Sequence, residues 1–505
     1  MVFKNNGKTK TARPTLPGSS RIGALEMSVF SDKYFNIDPA QLNIARALYQ
    51  QAAALPLVCP HGHVDPQLFA DPDYHFGDPV ELLILPDHYV LRVLHANGVA
   101  YEDLGIPRRD GKNSPRDPQQ VWQIFADHFY CYAGTPTGIW LRDELTDVFG
   151  IDEPLTGKNA RTVYKAIQTT LSSADFTPRK LYSRFNIAAL STTDGASDDL
   201  HLHQQIRASG WQGNILPTMR LDTIVNIDAS AWRTEVEKLA AASQTAISTF
   251  AHFLQAIEAR RAYFLQNGAT ATDLAVVQPT TAEVPATEME HLFQKGLAGT
   301  INAAETGRFI AGMLVELARM SSEDGLVMQL HVGSYRNHDQ ALFSEYGPDL
   351  GADFPIQVEF TRALQPLLNR FGNHPNFSLI LFTLDESTYA RELAPLASYY
   401  PAVKLGPPWW FHDNLNGMQR FFEQAIDSCG LYKTVGFNDD TRAFLSIPAR
   451  HDVWRRASAN WLAGLTMKKI VDEAAAAEMM KALSCGLALK AYKLEEFAPQ
   501  EARLA

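Results

Sequence analysis

The stretch CPHGHVDP, residues 59–66, follows the apolar run LPLV and sets two histidines one residue apart at the end of a candidate strand. Side chains at i and i+2 of a strand share a face. His61 and His63 are therefore predicted to project together, with Gly62 facing away. Two neutral imidazoles on one face suit a divalent ion. A pair of capping histidines near a turn is the competing reading, and the octapeptide leaves both open.

Further short apolar runs follow: NIAALSTTD (186–194), GNILPTMR (213–220), GATATDLAVV (268–277), LVMQLHVG (326–333), FSLILFTLD (377–385), AVKLGPP (402–408) and TVGFNDD (434–440). With LPLVCPH (55–61) they make eight candidate strands. Segments between them, such as 234–266, carry apolar residues at the three-to-four spacing of helices. Short buried strands alternating with helices predict a parallel sheet, and eight units predict a (β/α)8 barrel. The aromatic-rich interval between the first two strands predicts a helical insertion over residues 90–180. The stretch from Asp452 onward is predicted to be helical and to pack outside the barrel. Residues 27–505 would thus form one domain, preceded by a disordered tail over 1–26 that is basic and rich in Pro, Gly and Ser; translation from Met27 is an alternative origin for it.

The 505 residues are 46% hydrophobic and 20% charged, without an apolar run long enough to span a membrane. A net charge of −11 argues against a general nucleic-acid binder. An anionic ligand would have to be held by a few local arginines. Cys59, Cys131, Cys429 and Cys485 form no CxxC pair and read as reduced thiols of a cytoplasmic protein.

Reactive side chains in such a barrel stand at the C-terminal ends of strands. Those ends carry His61 and His63 on the first, Arg220 on the third, His331 on the fifth and Asp440 on the eighth. Imidazoles and a carboxylate together match a divalent-metal site with positions open to substrate. Taken singly, His331 reads equally as a core histidine and Asp440 as a loop cap. A second HxH pair, His201 and His203, falls on a predicted helix, where residues two apart point away from each other, so it is not expected to hold an ion.

The chain resembles the uronate isomerases, a divergent branch of the amidohydrolase superfamily. The resemblance runs from about Asp32 to beyond Arg456. It rests on the HxH segment, DHYVLRVLHANGV (87–99), STTDGASDDLHLH (191–203), LPTMRLDTIVNI (216–227), MQLHVGSYRNHD (328–339), GPPWWFHDNLNGM (406–418) and VGFNDDTRAFLSIPARHDVWRR (435–456). It implies an amidohydrolase-type (β/α)8 barrel with one divalent ion, zinc expected, bound by His61, His63 and Asp440. It further implies His331 close to the metal, and Arg442 and Tyr89 in the chemistry beside Asp440. Arg220, His88, Trp409 and Trp410 would contact substrate. The implied activity is aldose–ketose isomerisation of D-glucuronate to D-fructuronate, or D-galacturonate to D-tagaturonate, by a cytoplasmic homo-oligomer without nucleic-acid or membrane partners.

Those roles agree with elementary chemistry. Aldose–ketose conversion needs acid and base groups within reach of C1 and C2 and something to stabilise enediolate charge. A guanidinium such as Arg220 can take a C6 carboxylate bidentately. The sequence departs from the family pattern at Pro60, at Leu274 where histidine is common, at GPPWW, and at Asp439, where the family's T-D-S-R has threonine. These departures leave the preferred uronate open. The alternatives are a mononuclear metal-dependent hydrolase or decarboxylase on the same barrel, and a non-catalytic sugar-acid binder. The fourth and sixth strands lack the lysine and histidine that paired-metal hydrolases use, although Asp273 could in principle bind an ion.

Overall fold

Strands that are apolar on both faces need cover on both sides, and the chain supplies it with helices. The computed structural model describes residues 32–112 and 115–504. The tail expected over 1–26 lies outside them. In chain order the strands are β1 (Leu57–Cys59), β2 (Ile187–Ser191), β3 (Asp194–Gly195), β4 (Ile215–Leu216), β5 (Met219–Arg220), β6 (Ala271–Val276), β7 (Val327–Val332), β8 (Ser334–Tyr335), β9 (Phe354–Pro355), β10 (Leu379–Thr383) and β11 (Val403–Leu405).

β1, β2 and β4 pair in that order, and β3, β5, β6, β7, β10 and β11 pair in that order, all parallel. β3 prolongs β2 and β5 prolongs β4, because Thr192 and Asp194 donate from their amides to the carbonyls of Leu216 and Thr218. The first seven predicted strands are thus neighbours in chain order, in a parallel α/β fold. β8 and β9 form a separate antiparallel pair.

The eighth predicted strand is a correction. Over 434–440 only one parallel bridge forms, Leu405 to Thr434. Gly436 at φ 74° and Asp440 at φ 39° turn the chain out of extended conformation beyond it. The segment nevertheless returns to the first one: the His63 amide donates to the Thr441 carbonyl at 2.9 Å.

Period-two alternation sorts the side chains. On β7, Met328, Leu330 and Val332 join the large core under the helices, whereas Gln329 and His331 point to the opposite face. The helix Ala303–Asp324 before β7 starts at a capping box of Asn302 and Glu305 and stops at Gly325, φ 80°. Between β1 and β2, helices begin already at Gln67 and include His88–Ala96, Pro118–Asp127, Pro136–Asp143 and Ala160–Leu171. They bury Trp122, Phe125, Tyr132 and Ile167 in a core of their own.

The C-terminal stretch is helical, as expected. Helix Ile447–Met467 is buried along most of its length. Ala488, Leu489 and Tyr492 pack against Val58, Ala271, Val327 and Ile380 near the starts of the strands, where the Tyr492 hydroxyl donates to Gln329 Oε1 at 3.0 Å. Apolar strand starts need a cover that loops do not provide.

Candidate active site

The strand ends and the loops after them surround a cavity of about 310 Å³. His61, His63, His88, Tyr89, Arg220, His331, Trp409, Trp410, Asp440 and Arg442 all line it, so every residue expected to meet metal or substrate borders one cavity.

His61 and His63 do not converge as strand neighbours, because β1 ends at Cys59. Loop contacts bring them together instead. Thr193 Oγ1 donates to the Gly62 carbonyl at 2.6 Å, and the His63 amide is tied to Thr441. The rings stand 5.3 Å apart at 80°. Both Nε2 atoms face Asp440 Oδ1, at 3.4 Å from His61 and 3.2 Å from His63. Those spacings lie at or beyond the long end of a hydrogen bond. Ligands held 2.0–2.2 Å from one tetrahedral ion stand roughly 3.3–3.6 Å apart. The donor set therefore fits a shared divalent ion. Burial pushes the Asp440 carboxyl up, but His61 and His63 outweigh it and hold it well below the usual range.

His331 lies beside this group, its ring 4.7 Å from that of His61 and stacked on Phe382 at 4.1 Å. Its Nδ1 donates to Asp273 Oδ1 at 2.8 Å, and its buried Nε2 has no partner among the described residues. Asp273 is engaged on its other side by Arg220 Nε, 3.9 Å from Oδ2. Burial raises this carboxyl too, yet His331, His61 and Arg220 keep it ionised.

Arg220 is positioned by Asp222, which accepts from Nε at 2.9 Å and from Nη2 at 3.5 Å. Its Nη1 end has no protein acceptor among the described residues and is available to a ligand. Tyr89 sits in the first turn of helix His88–Ala96, capped by Asp87; burial pushes its phenol well up. Arg442 pairs with Asp349 at 3.0 Å. Trp409 and Trp410 pack 4.9 Å apart, Trp410 at φ 50°. Among the decoys, His203 hydrogen-bonds Thr192 and His201 pairs with Asp199, so the two histidines part as expected.

Sequence reasoning missed Asp222, Arg336, Asp349 and Arg450, which also line the cavity. None lies in a spacing motif, but Asp222 is two residues after Arg220, a signal of pairing. Two departures from the family pattern also find a place. Leu274 faces the core while Asp273 and Ala275 face the cavity, so the altered position does not touch a ligand. Asp439 is 1% exposed and turned from the cavity toward His451.

A parallel α/β sheet whose strand ends gather imidazoles, a carboxylate and arginines in one pocket defines an enzyme for a small anionic substrate. A family model described as glucuronate isomerase, UxaC, matches residues 27–489. A uronate isomerase of Nostoc punctiforme is 50% identical over 92% of this chain and 98% of its own. The crystal structure of glucuronate isomerase from Caulobacter crescentus superimposes with a TM-score of 0.90 at 44% identity, covering 94% of this chain and 98% of that one. That of the Thermotoga maritima uronate isomerase gives 0.85 at 26% identity, covering 94% and 100%. The chain belongs to the uronate isomerase family and is an isomerase; the hydrolase and decarboxylase alternative is not favoured.

Proposed function

We propose that this cavity takes an open-chain hexuronate and interconverts D-glucuronate with D-fructuronate, or D-galacturonate with D-tagaturonate. The observation that carries this is Arg220, its Nη1 end open, sharing one cavity with His61, His63, Tyr89 and Asp440. The relatives' names point to the same substrates.

Arg220 would hold the C6 carboxylate, with Trp409, Trp410 and His88 lining the sugar. In the aldose-to-ketose direction a base takes the C2 proton while the C1 oxygen gains one, giving an enediol. The C2 hydroxyl then gives up its proton and C1 receives one, so no net proton is consumed. Asp440 and Tyr89 would move these protons. Arg442 would face charge developing on the substrate oxygens. His331 presents its unpartnered Nε2 to a substrate oxygen. His61, His63 and Asp440 would hold one divalent ion, zinc by donor type; when bound, it supplies positive charge that stabilises oxyanions.

We read the fold as a closed (β/α)8 barrel with residues 90–180 inserted over its mouth, a reading supported by the in-order strand pairing and the His63–Thr441 bond. A homo-oligomer in the cytoplasm completes the proposal. Free Cys59, Cys131, Cys429 and Cys485 are compatible with a reducing compartment, and among the described residues no helix is long and apolar enough to cross a membrane. Light scattering on the purified protein tests the oligomer.

The decisive assay incubates purified protein with glucuronate, galacturonate and neutral aldoses and follows keto-sugar formation by NMR. A uronate should react and glucose should not, because a neutral sugar leaves Arg220 unpaired. Glucose turning over as readily as a uronate would sink the assignment.

A further inference from the structure

Behind the cavity, outside its lining, Cys59, Asp439 and His451 form a fully buried cluster whose Sγ, carboxylate oxygen and ring nitrogen lie within 4.8 Å of one another. His451 Nε2 donates to Asp439 Oδ2 at 3.1 Å, and Cys59 Sγ is 3.9 Å from the same nitrogen. The placement in sequence matters. Cys59 precedes His61 by two residues, and Asp439 directly precedes Asp440. His451 comes from the first turns of helix Ile447–Met467, which also sends Arg450 Nη1 to the Asp439 carbonyl at 3.3 Å.

Asp440 needs such support. Its φ of 39° lies in the left-handed region that non-glycine residues adopt only when the surroundings impose it. On its far side the Thr441 carbonyl takes the His63 amide, and Thr441 Oγ1 meets Ser446 Oγ at 3.1 Å and the Ala443 amide at 3.0 Å. On its near side the side chain of Asp439 is held by His451. Asp439 Oδ1 lies 3.5 Å from where a Cβ on Gly62 would stand, so the same carboxylate also faces the loop between the two histidines.

We infer that His451 and Asp439 are positioning residues that hold the two ion-binding segments, His61-Gly62-His63 and Asp440, in the arrangement that binds metal. This rests on the reading of His61, His63 and Asp440 as the ion's ligands. It gives the Asp439 departure a role: the extra carboxylate braces the neighbouring ligand and does not enter the site. Outer partners of this kind typically govern metal affinity by 10- to 100-fold.

The test measures zinc affinity by chelator competition, zinc content by elemental analysis, and thermal stability of the metal-free protein. Asp439→Ala removes the acceptor without leaving a charge unpaired and should weaken zinc binding by about 10- to 100-fold while the metal-free protein stays folded. His451→Phe should do the same, and His451→Gln, which keeps an N–H donor, should recover most of the loss. Asp439→Asn keeps an acceptor for His451 and should bind within a few-fold of the parent. Parent-like affinity in folded Asp439→Ala overturns the inference. So does an Asp439→Asn loss as large as that of Asp439→Ala, because charge and not the hydrogen bond would then be at work. A second zinc per chain that disappears in Asp439→Ala overturns it too, because the cluster would itself be an ion site. His61→Ala serves as the control: a variant that keeps full zinc affinity would refute the ligand assignment, separately from the brace.

Discussion

His331 Nδ1 donates to Asp273 Oδ1 across 2.8 Å, joining neighbouring strands β7 and β6 inside the cavity. The bond fixes which ring nitrogen of His331 carries its proton and leaves Nε2 facing the pocket. It also occupies Asp273, which would otherwise be the natural extra ligand of a two-metal site. Asp273→Ala should therefore lower kcat on the order of 100-fold by releasing His331, with the ion content unchanged at one per chain. Kinetics and elemental analysis on one preparation decide it. A drop in ion content would make Asp273 a ligand.

Asp440 combines a ligand with a proton-handling carboxylate. Asp440→Asn should cut kcat by at least about 100-fold and release the ion at chelator concentrations that leave the parent loaded. Stripping the parent with chelator should likewise abolish turnover, and added zinc should restore it. Activity surviving complete removal of the ion would refute a metal role in the reaction.

Arg220 should report on substrate grip. Arg220→Lys keeps the charge but loses both the fork and the bidentate pairing with Asp222. KM for the preferred uronate should rise by about 10- to 100-fold, the scale of a charge-assisted hydrogen bond, with a smaller change in kcat. If kcat alone falls, Arg220 acts on the reacting carbons instead.

Glu144, outside the cavity lining, gives a pH signature of its own. Burial pushes its carboxyl up to about 8, and its Oε2 has no partner among the described residues. Between its ordinary value near 4.5 and about 8 the folded state holds a proton that the unfolded state has released, so stability falls as pH rises through that window. Glu144→Gln stays neutral throughout. Its melting temperature should match the parent's near pH 5 and exceed it by on the order of a few degrees at pH 9. Parallel melting curves across this range would show that Glu144 ionises normally.

The sequence by itself determined the order of the fold and named residues that line the cavity. Apolar strands alternating with helices dictate a parallel sheet, because only such a sheet buries both faces of runs like VMQLHV. The strand ends then name His61, His63, Arg220, His331 and Asp440, and the resemblance adds Tyr89, Arg442 and the tryptophans. Local pattern carried this because burial and period two act residue by residue. It overstated strand lengths for the same reason: the quoted runs continue past Cys59 and past Val435, but strand pairing does not.

Tertiary structure alone decided what holds those residues in place. His61 and His63 meet because Thr193 and Thr441 grip their loop, and the Asp222, Asp273 and Asp349 carboxylates choose the orientations of Arg220, His331 and Arg442. Nor does any local signal bring Asp439 to a histidine of the C-terminal helix. Apart from Arg220 and Asp222, which are two residues apart, these are contacts between residues distant in the chain, set by how helices and loops close over the strand ends. No periodicity encodes them, because hydrogen-bond partners are chosen by distance in space.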